Sequence, residues 1–229
     1  MGRRLATGAL AIAALTFVAA GCGGSGSSSN GEATRSPTTI YADAKRAALS
    51  AKTVHVAGTI TDSGNLLNLD LVIANGSGRG TMSEGGLSFD IIRIGETAYL
   101  KASDAFLRQF AGAAAATRFH DRWLKGSVKS GVLASITPLT DLTKLFNGAF
   151  GTHGKLEKQG ETTYNGQKVV AIKDLTDSST TYIAATGTPY PVGAKEGGSS
   201  KGAVTFDQWN ASASISAPKG AVDIGKLGP

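Results

Sequence analysis

Between residues 53 and 101 apolar side chains fall at every second position in successive short runs. Val54, Val56 and Ile60 alternate with His55, Ala57, Thr59 and Thr61, and after a turn over residues 62–65 Leu67, Leu69, Leu71 and Ile73 repeat the pattern. A glycine-rich stretch over 77–83 follows, and Leu87, Phe89 and Ile91 resume the alternation before a last run over 97–101. A period of two puts alternate residues on opposite faces of a strand. Asn75-Gly76 and Glu84-Gly85-Gly86 supply tight reversals. The pattern therefore predicts five consecutive strands in an antiparallel meander. Ile92 and Ile94, on the other face of the fourth strand, predict that part of the sheet is covered on both sides.

Elsewhere the period lengthens. Ile40, Tyr41, Ala44, Ala47, Ala48 and Ala51 recur at steps of three and four, predicting a helix capped by Thr38 or Thr39 and running to Ser50. A second helix is predicted from Ser103 or Asp104, with Phe106, Leu107, Phe110, Ala111, Ala114 and Thr117 on one side. Its alanine run buries little area per residue, which suits a thin cover. Trp123 reads as a packing anchor, and residues 138–146 predict a third helix with Leu139, Leu142, Leu145 and Phe146 inward. Residues 155–161, 162–164, 168–175, 179–185, 190–195 and 203–209 have strand length and turn-rich boundaries. The chain thus reads as α+β, with strands on each side of a helical insertion and one large sheet.

The first 37 residues follow other rules. Arg3 and Arg4 precede a largely apolar run over 5–18, and Ala19-Ala20-Gly21 are small residues ahead of Cys22. The charged front, the short apolar segment and the small residues describe an export signal, and about 14 apolar residues fall short of the roughly 20 a membrane-crossing helix needs. The junction resembles a bacterial lipobox, with Ala19 where leucine is usual. That resemblance implies cleavage after residue 21 and lipidation of Cys22, the single cysteine of the chain. A lone exported thiol has no internal disulfide partner. Residues 22–37 then read as the lipidated cysteine and a flexible Gly/Ser tether, and residues 38–229 as one domain. The location implied is the extracytoplasmic face of the cell membrane, held by the lipid anchor.

Charge adds an exclusion. Of 229 residues, 23 are Lys or Arg and 17 are Asp or Glu, and the basic residues form no clusters of the kind that grip nucleic acid. His55, His120 and His153 lie in separate segments with no metal-ligand spacing, so neither a metal site nor a cofactor is expected. There is no nucleophile elbow, phosphate loop or dinucleotide fingerprint. Ser216-Ala217-Pro218-Lys219 matches Ser-x-x-Lys only formally, because Pro218 disfavours the helical turn that chemistry needs. Asp90, Asp174, Asp177 and Asp207 read as solvated carboxylates. The chain reads as a non-enzyme.

The C-terminal third carries a family resemblance. Residues 181–192 (TYIAATGTPYPV), then 202–210 (GAVTFDQWN) and Ala217-Pro218, together with Trp123-Leu124-Lys125, resemble the signature of LppX/LprG-type bacterial lipoproteins, relatives of the LolA carrier fold. The resemblance implies a strongly curved antiparallel half-barrel with a few helices over its concave face, enclosing an apolar cavity for a lipid or glycolipid. The candidate lining is Leu67, Leu69, Leu71, Phe89, Ile91, Phe106 and Phe110. An envelope transporter would be the partner for hand-over. The same residues could instead fill a solid core, and the protein would then act as a surface adaptor or sensor that binds other proteins.

Overall fold

The computed structural model describes residues 28–62, 64–199 and 202–226. Among the described residues twelve strands, numbered in chain order, form one sheet in the order β12-β6-β5-β4-β3-β2-β1-β11-β10-β9-β8-β7. The predicted meander is present as β1 Thr53–Asp62, β2 Asn65–Ala74, β3 Ser77–Glu84, β4 Leu87–Ile94 and β5 Thr97–Ala102. The second half forms another meander, β7 Leu156–Tyr164, β8 Gln167–Asp174, β9 Thr180–Ala184, β10 Pro191–Lys195 and β11 Ala203–Asp207. Both runs expected over 155–164 belong to β7, which carries a bulge between Lys158 and Gly160. The two meanders join where β1 pairs antiparallel with β11, His55 opposite Asp207 and Thr59 opposite Ala203. Two short strands went unforeseen: β6 Leu124–Ser127 and β12 Val222–Asp223, which pair in parallel at one edge.

The period of two sorts the faces. Leu69, Leu71 and Ile73 of β2, Ile91 of β4 and Ala98 and Leu100 of β5 are buried on the concave side, while Asn68 and Asp70 are exposed on the other. Cover on the outer side is lighter than expected: Ile92 is half-buried and Ile94 is 36% exposed. Among the described residues five α-helices lie with the sheet: α1 Pro37–Ser50, α2 Asp104–Ala111, α3 Ala113–Phe119, α4 Gly131–Ile136 and α5 Leu142–Ala149.

Each departure from the predicted helices has a local cause. Ser36, not Thr38 or Thr39, caps α1, accepting from the Thr39 amide, and Pro37 occupies the first turn, where its missing N–H costs nothing. The single helix expected from residue 103 breaks at Gly112, whose φ of 87° only glycine adopts freely. The break re-phases the chain, so Ala116 is buried while Ala114 and Thr117 are exposed. The helix expected over 138–146 is a 3-10 turn, Thr137–Thr140, followed by α5, because the Asp141 carboxylate leaves the helix to cap the Lys144 amide.

Residues 29–35, within the stretch expected to be a tether, are docked on the body. Ser29 bridges Thr186, the Asn30 amide side chain donates to the carbonyls of Ala184 and Gly187, and Lys158 donates to the carbonyls of Ala33 and Arg35. Arg35 pairs with Asp43, which also pairs with Arg46. A Gly/Ser-rich composition conceals such docking, since it is made by backbone groups and a few polar side chains rather than apolar burial. Cys22 and the signal segment lie outside the described residues.

Candidate functional site

The concave face supplies Val56 and Ile60 from β1, Leu69 and Leu71 from β2, and Val204 and Phe206 from β11. Opposite them, the 3-10 turn presents Pro138 and Leu139, and α5 presents Leu145, Gly148 and Ala149. Together they enclose an apolar cavity of about 330 Å³ in which Lys144 is the single charged lining residue. The roof residues Gly148 and Ala149 carry little side chain, which leaves the space a larger residue would fill. A second apolar cavity of about 260 Å³ lies between the end of β5 and the short helices, lined by Leu100, Phe106, Leu107, Phe110, Leu124 and Leu133 among others.

Phe89 and Ile136 pack against both of the core clusters beside these cavities and so form the seam between them. From Phe89 an aromatic row runs outward, 5.1 Å to Phe106 and then 4.6 Å to Phe110, at centroid distances suited to tilted ring packing. The row ends at a Phe110 that is 55% exposed.

Polar contacts hold the roof. Arg93 of β4, only 7% exposed, pairs with Asp141 at 2.8 Å, so the residue that starts α5 is fastened to the sheet. Its Nε has no hydrogen-bond partner among the described residues. Beside it, Gly78 of β3 lets the 3-10 turn approach closely: a Cβ there would lie 2.8 Å from the Thr140 carbonyl oxygen. At the far end, Tyr41 donates to the Ala149 carbonyl at 3.3 Å and Lys45 to that of Phe150 at 3.1 Å. Burial, with help from Asp174 and Asp177, pushes the Tyr41 phenol up to about 12, so it stays a neutral donor. Phe146 anchors the middle of α5 against Phe206 and Trp209.

The seven residues proposed from sequence separate into groups. Leu69 and Leu71 line the first cavity, Phe106 and Phe110 the second. Phe89 stands at the seam and Leu67 packs at the edge of the main core. Ile91 is fully buried and lines neither cavity. The first cavity's other lining residues come from β1, from the roof and from β11, and the alternating Val56 and Ile60 and the inward Leu139 and Leu145 of the predicted third helix were the available signal.

The histidines remain apart, with one unforeseen arrangement. His55 Nδ1 lies 2.7 Å from Asp207 and its Nε2 3.0 Å from Asp70, so one ring ties three adjacent strands on the outer face. Burial pulls its pKa down, but the two carboxylates outweigh that and leave it above 6.5. The carboxylates sit at opposite ring nitrogens and cannot converge on one ion. Among the described residues no group of three or more His, Cys, Asp or Glu side chains is placed to hold a metal, and no helix is long and apolar enough to cross a membrane.

An open, strongly curved sheet with light helical cover over its concave face is the fold of LppX/LprG-type lipoproteins. The structure of LprF from Mycobacterium bovis is similar with a TM-score of 0.57 and 16% identity, over 80% of this chain and 97% of that one. The Mycobacterium tuberculosis lipoprotein LppX is similar with a TM-score of 0.50 and 18% identity, over 79% of this chain and all of that one. At these identities the likeness is one of fold. No protein-family model matches the sequence, and no curated protein does.

Proposed function

We propose that this protein is a lipid-anchored envelope lipoprotein that binds or carries a lipid or glycolipid, housing acyl chain in the space between sheet and roof, and is not an enzyme. The observation that carries this reading is the first cavity, whose walls are apolar apart from Lys144. At roughly the 30 Å³ of a liquid water per methylene, it has room for about ten carbons. The second cavity, about 260 Å³, has room for several more. Lys144 offers an anionic headgroup a cation at the mouth.

Lipidation of Cys22 would place the body on the extracytoplasmic face of the cell membrane. Because the chain is docked from Ser29 onward, only the residues between Cys22 and Ser29 would span the gap, at most about 25 Å when extended. An envelope transporter is the proposed hand-over partner.

Native purification followed by lipid extraction and mass spectrometry tests the carrier reading. A co-purifying lipid at near-stoichiometric amount is expected, and its absence together with failure to take up fatty acid or phospholipid would favour the protein-binding adaptor. Cys22→Ser is expected to move the protein from the membrane to the soluble fraction, and continued retention contradicts the anchor.

A further inference from the structure

A groove of about 690 Å³ lies on the other face of the sheet. Its floor is a cross-strand row: Asp70 of β2 opposite Thr81 of β3, Thr81 opposite Asp90 of β4, and Asp90 opposite Lys101 of β5. A parallel row of Asn68, Ser83 and Ser88 lies beside it. A smaller groove of about 320 Å³ shares Asp70, Thr81 and Asp90 and continues the trough to Ile92 and Trp123. The sheet separates this trough from the apolar cavities.

A polar sheet face ordinarily meets only water. Here it is given depth by residues 120–123, which fold back over β5. Asp121 pairs with Lys101 at 2.6 Å and His120 with Asp104 at 2.9 Å, while Asp121 itself holds a φ of 55°, a costly conformation for a residue with a side chain. The loop sets Trp123 at the rim of the trough.

We infer that this outer trough is a saccharide-binding site, with Trp123 as the stacking platform and Asp90 as the central acceptor of ligand hydroxyls. A pyranose presents an apolar C–H face and a belt of hydroxyl groups, and the trough presents the complement: an indole beside Ile92, then a strip of carboxylate, hydroxyl and amide groups. Among the described residues Asp90, Thr81 and Ser83 make no side-chain hydrogen bond or ion pair, and all three line the trough. The four carboxylates Asp70, Asp90, Asp104 and Asp121 outnumber the cations Lys101 and Arg79 that line the same trough, and Lys101 is paired with Asp121, so the balance disfavours phosphate, nucleic acid and anionic lipid headgroups, and the polar floor offers an acyl chain nothing.

Calorimetric titration of the mature full chain with neutral gluco-, manno- and galacto-tetrasaccharides tests the site, with tryptophan fluorescence read in parallel and spermine as a cationic control. Saturable binding to at least one tetrasaccharide is expected, with a fluorescence change that is absent in Trp123→Phe. Trp123→Ala and Asp90→Asn should each weaken binding at least tenfold while thermal unfolding stays as in the parent. Binding to none of the sugars, binding to spermine alone, or affinity unmoved by both substitutions would each overturn the assignment.

Discussion

The Arg93–Asp141 pair offers a quantitative test of how the roof is held. Arg93 is the more buried partner, with 9% of its side chain exposed against 21% for Asp141, and Asp141 has a second task in capping the Lys144 amide at 3.0 Å. Removing one partner of a buried ion pair costs about 3–5 kcal/mol because a charge is left stranded, and losing an N-cap costs about 1 kcal/mol. Asp141→Ala should therefore destabilise by about 4–6 kcal/mol. Arg93→Met keeps the volume of the stem and leaves a carboxylate that still reaches water and still caps α5, so about 1–2 kcal/mol is expected. Asp141→Asn keeps the cap, strands the guanidinium, and should fall between. Urea denaturation with a common slope gives all three values, and the double variant Arg93→Met/Asp141→Asn should recover part of the loss of Asp141→Asn alone. Equal costs for Asp141→Ala and Arg93→Met, or a cost of Asp141→Ala no larger than a cap, would show that Arg93 is not desolvated and that the roof is held by packing alone.

Other outcomes follow from single contacts. Since the folded state raises the pKa of His55, its protonated form is bound more tightly there than in the unfolded chain, and that stabilisation is full below pH 6.5 and lost as pH rises through the folded value. His55→Gln should flatten this part of the stability profile, as read by urea midpoints, and an unchanged slope would mean His120, also raised through Asp104, is responsible. Gly78→Ala should cost about 1–3 kcal/mol by pushing the Thr140 turn off the sheet, measurable as a lowered melting temperature, and a neutral result would contradict the close approach. Gly148→Leu has open space at its Cβ and replaces glycine within α5, so stability should hold or rise by about 0.5–1 kcal/mol while fatty-acid uptake falls. Uptake at the parent level in that variant would place the ligand elsewhere.

How much could be read in advance differed between kinds of element. Strands β1 to β5 lay within one or two residues of their predicted positions, because each presents one face to a core and one to water and so writes its period into the sequence. Strands β6 and β12, of four and two residues, are too short to show a period and exist through neighbours distant in the chain. Helix positions were legible except for the six-residue α4, which is too short to show a period, and helix boundaries were not: Gly112 and Asp141 ended or started helices through a backbone angle and a side-chain cap, where periodicity carries no information. Leu69 and Leu71 were legible as apolar residues of the sheet facing the cover, and Phe106 and Phe110 as apolar residues of the cover itself. Their division between two cavities, with Phe89 between them, was not.

From its sequence alone this protein shows a two-residue rhythm, a helical interruption and an N-terminal segment built like an export signal, because burial and chain conformation are written locally in residue type and spacing. Tertiary structure decided which apolar faces close into core and which leave room, because that depends on how far a roof of Gly148 and Ala149 stands from a floor of Leu69 and Leu71. It also brought His55 between two aspartates on flanking strands and folded residues 120–123 over the outer face. Those contacts join segments far apart along the chain, and only the pairing of β1 with β11 and the return of the chain at β6 bring them within reach.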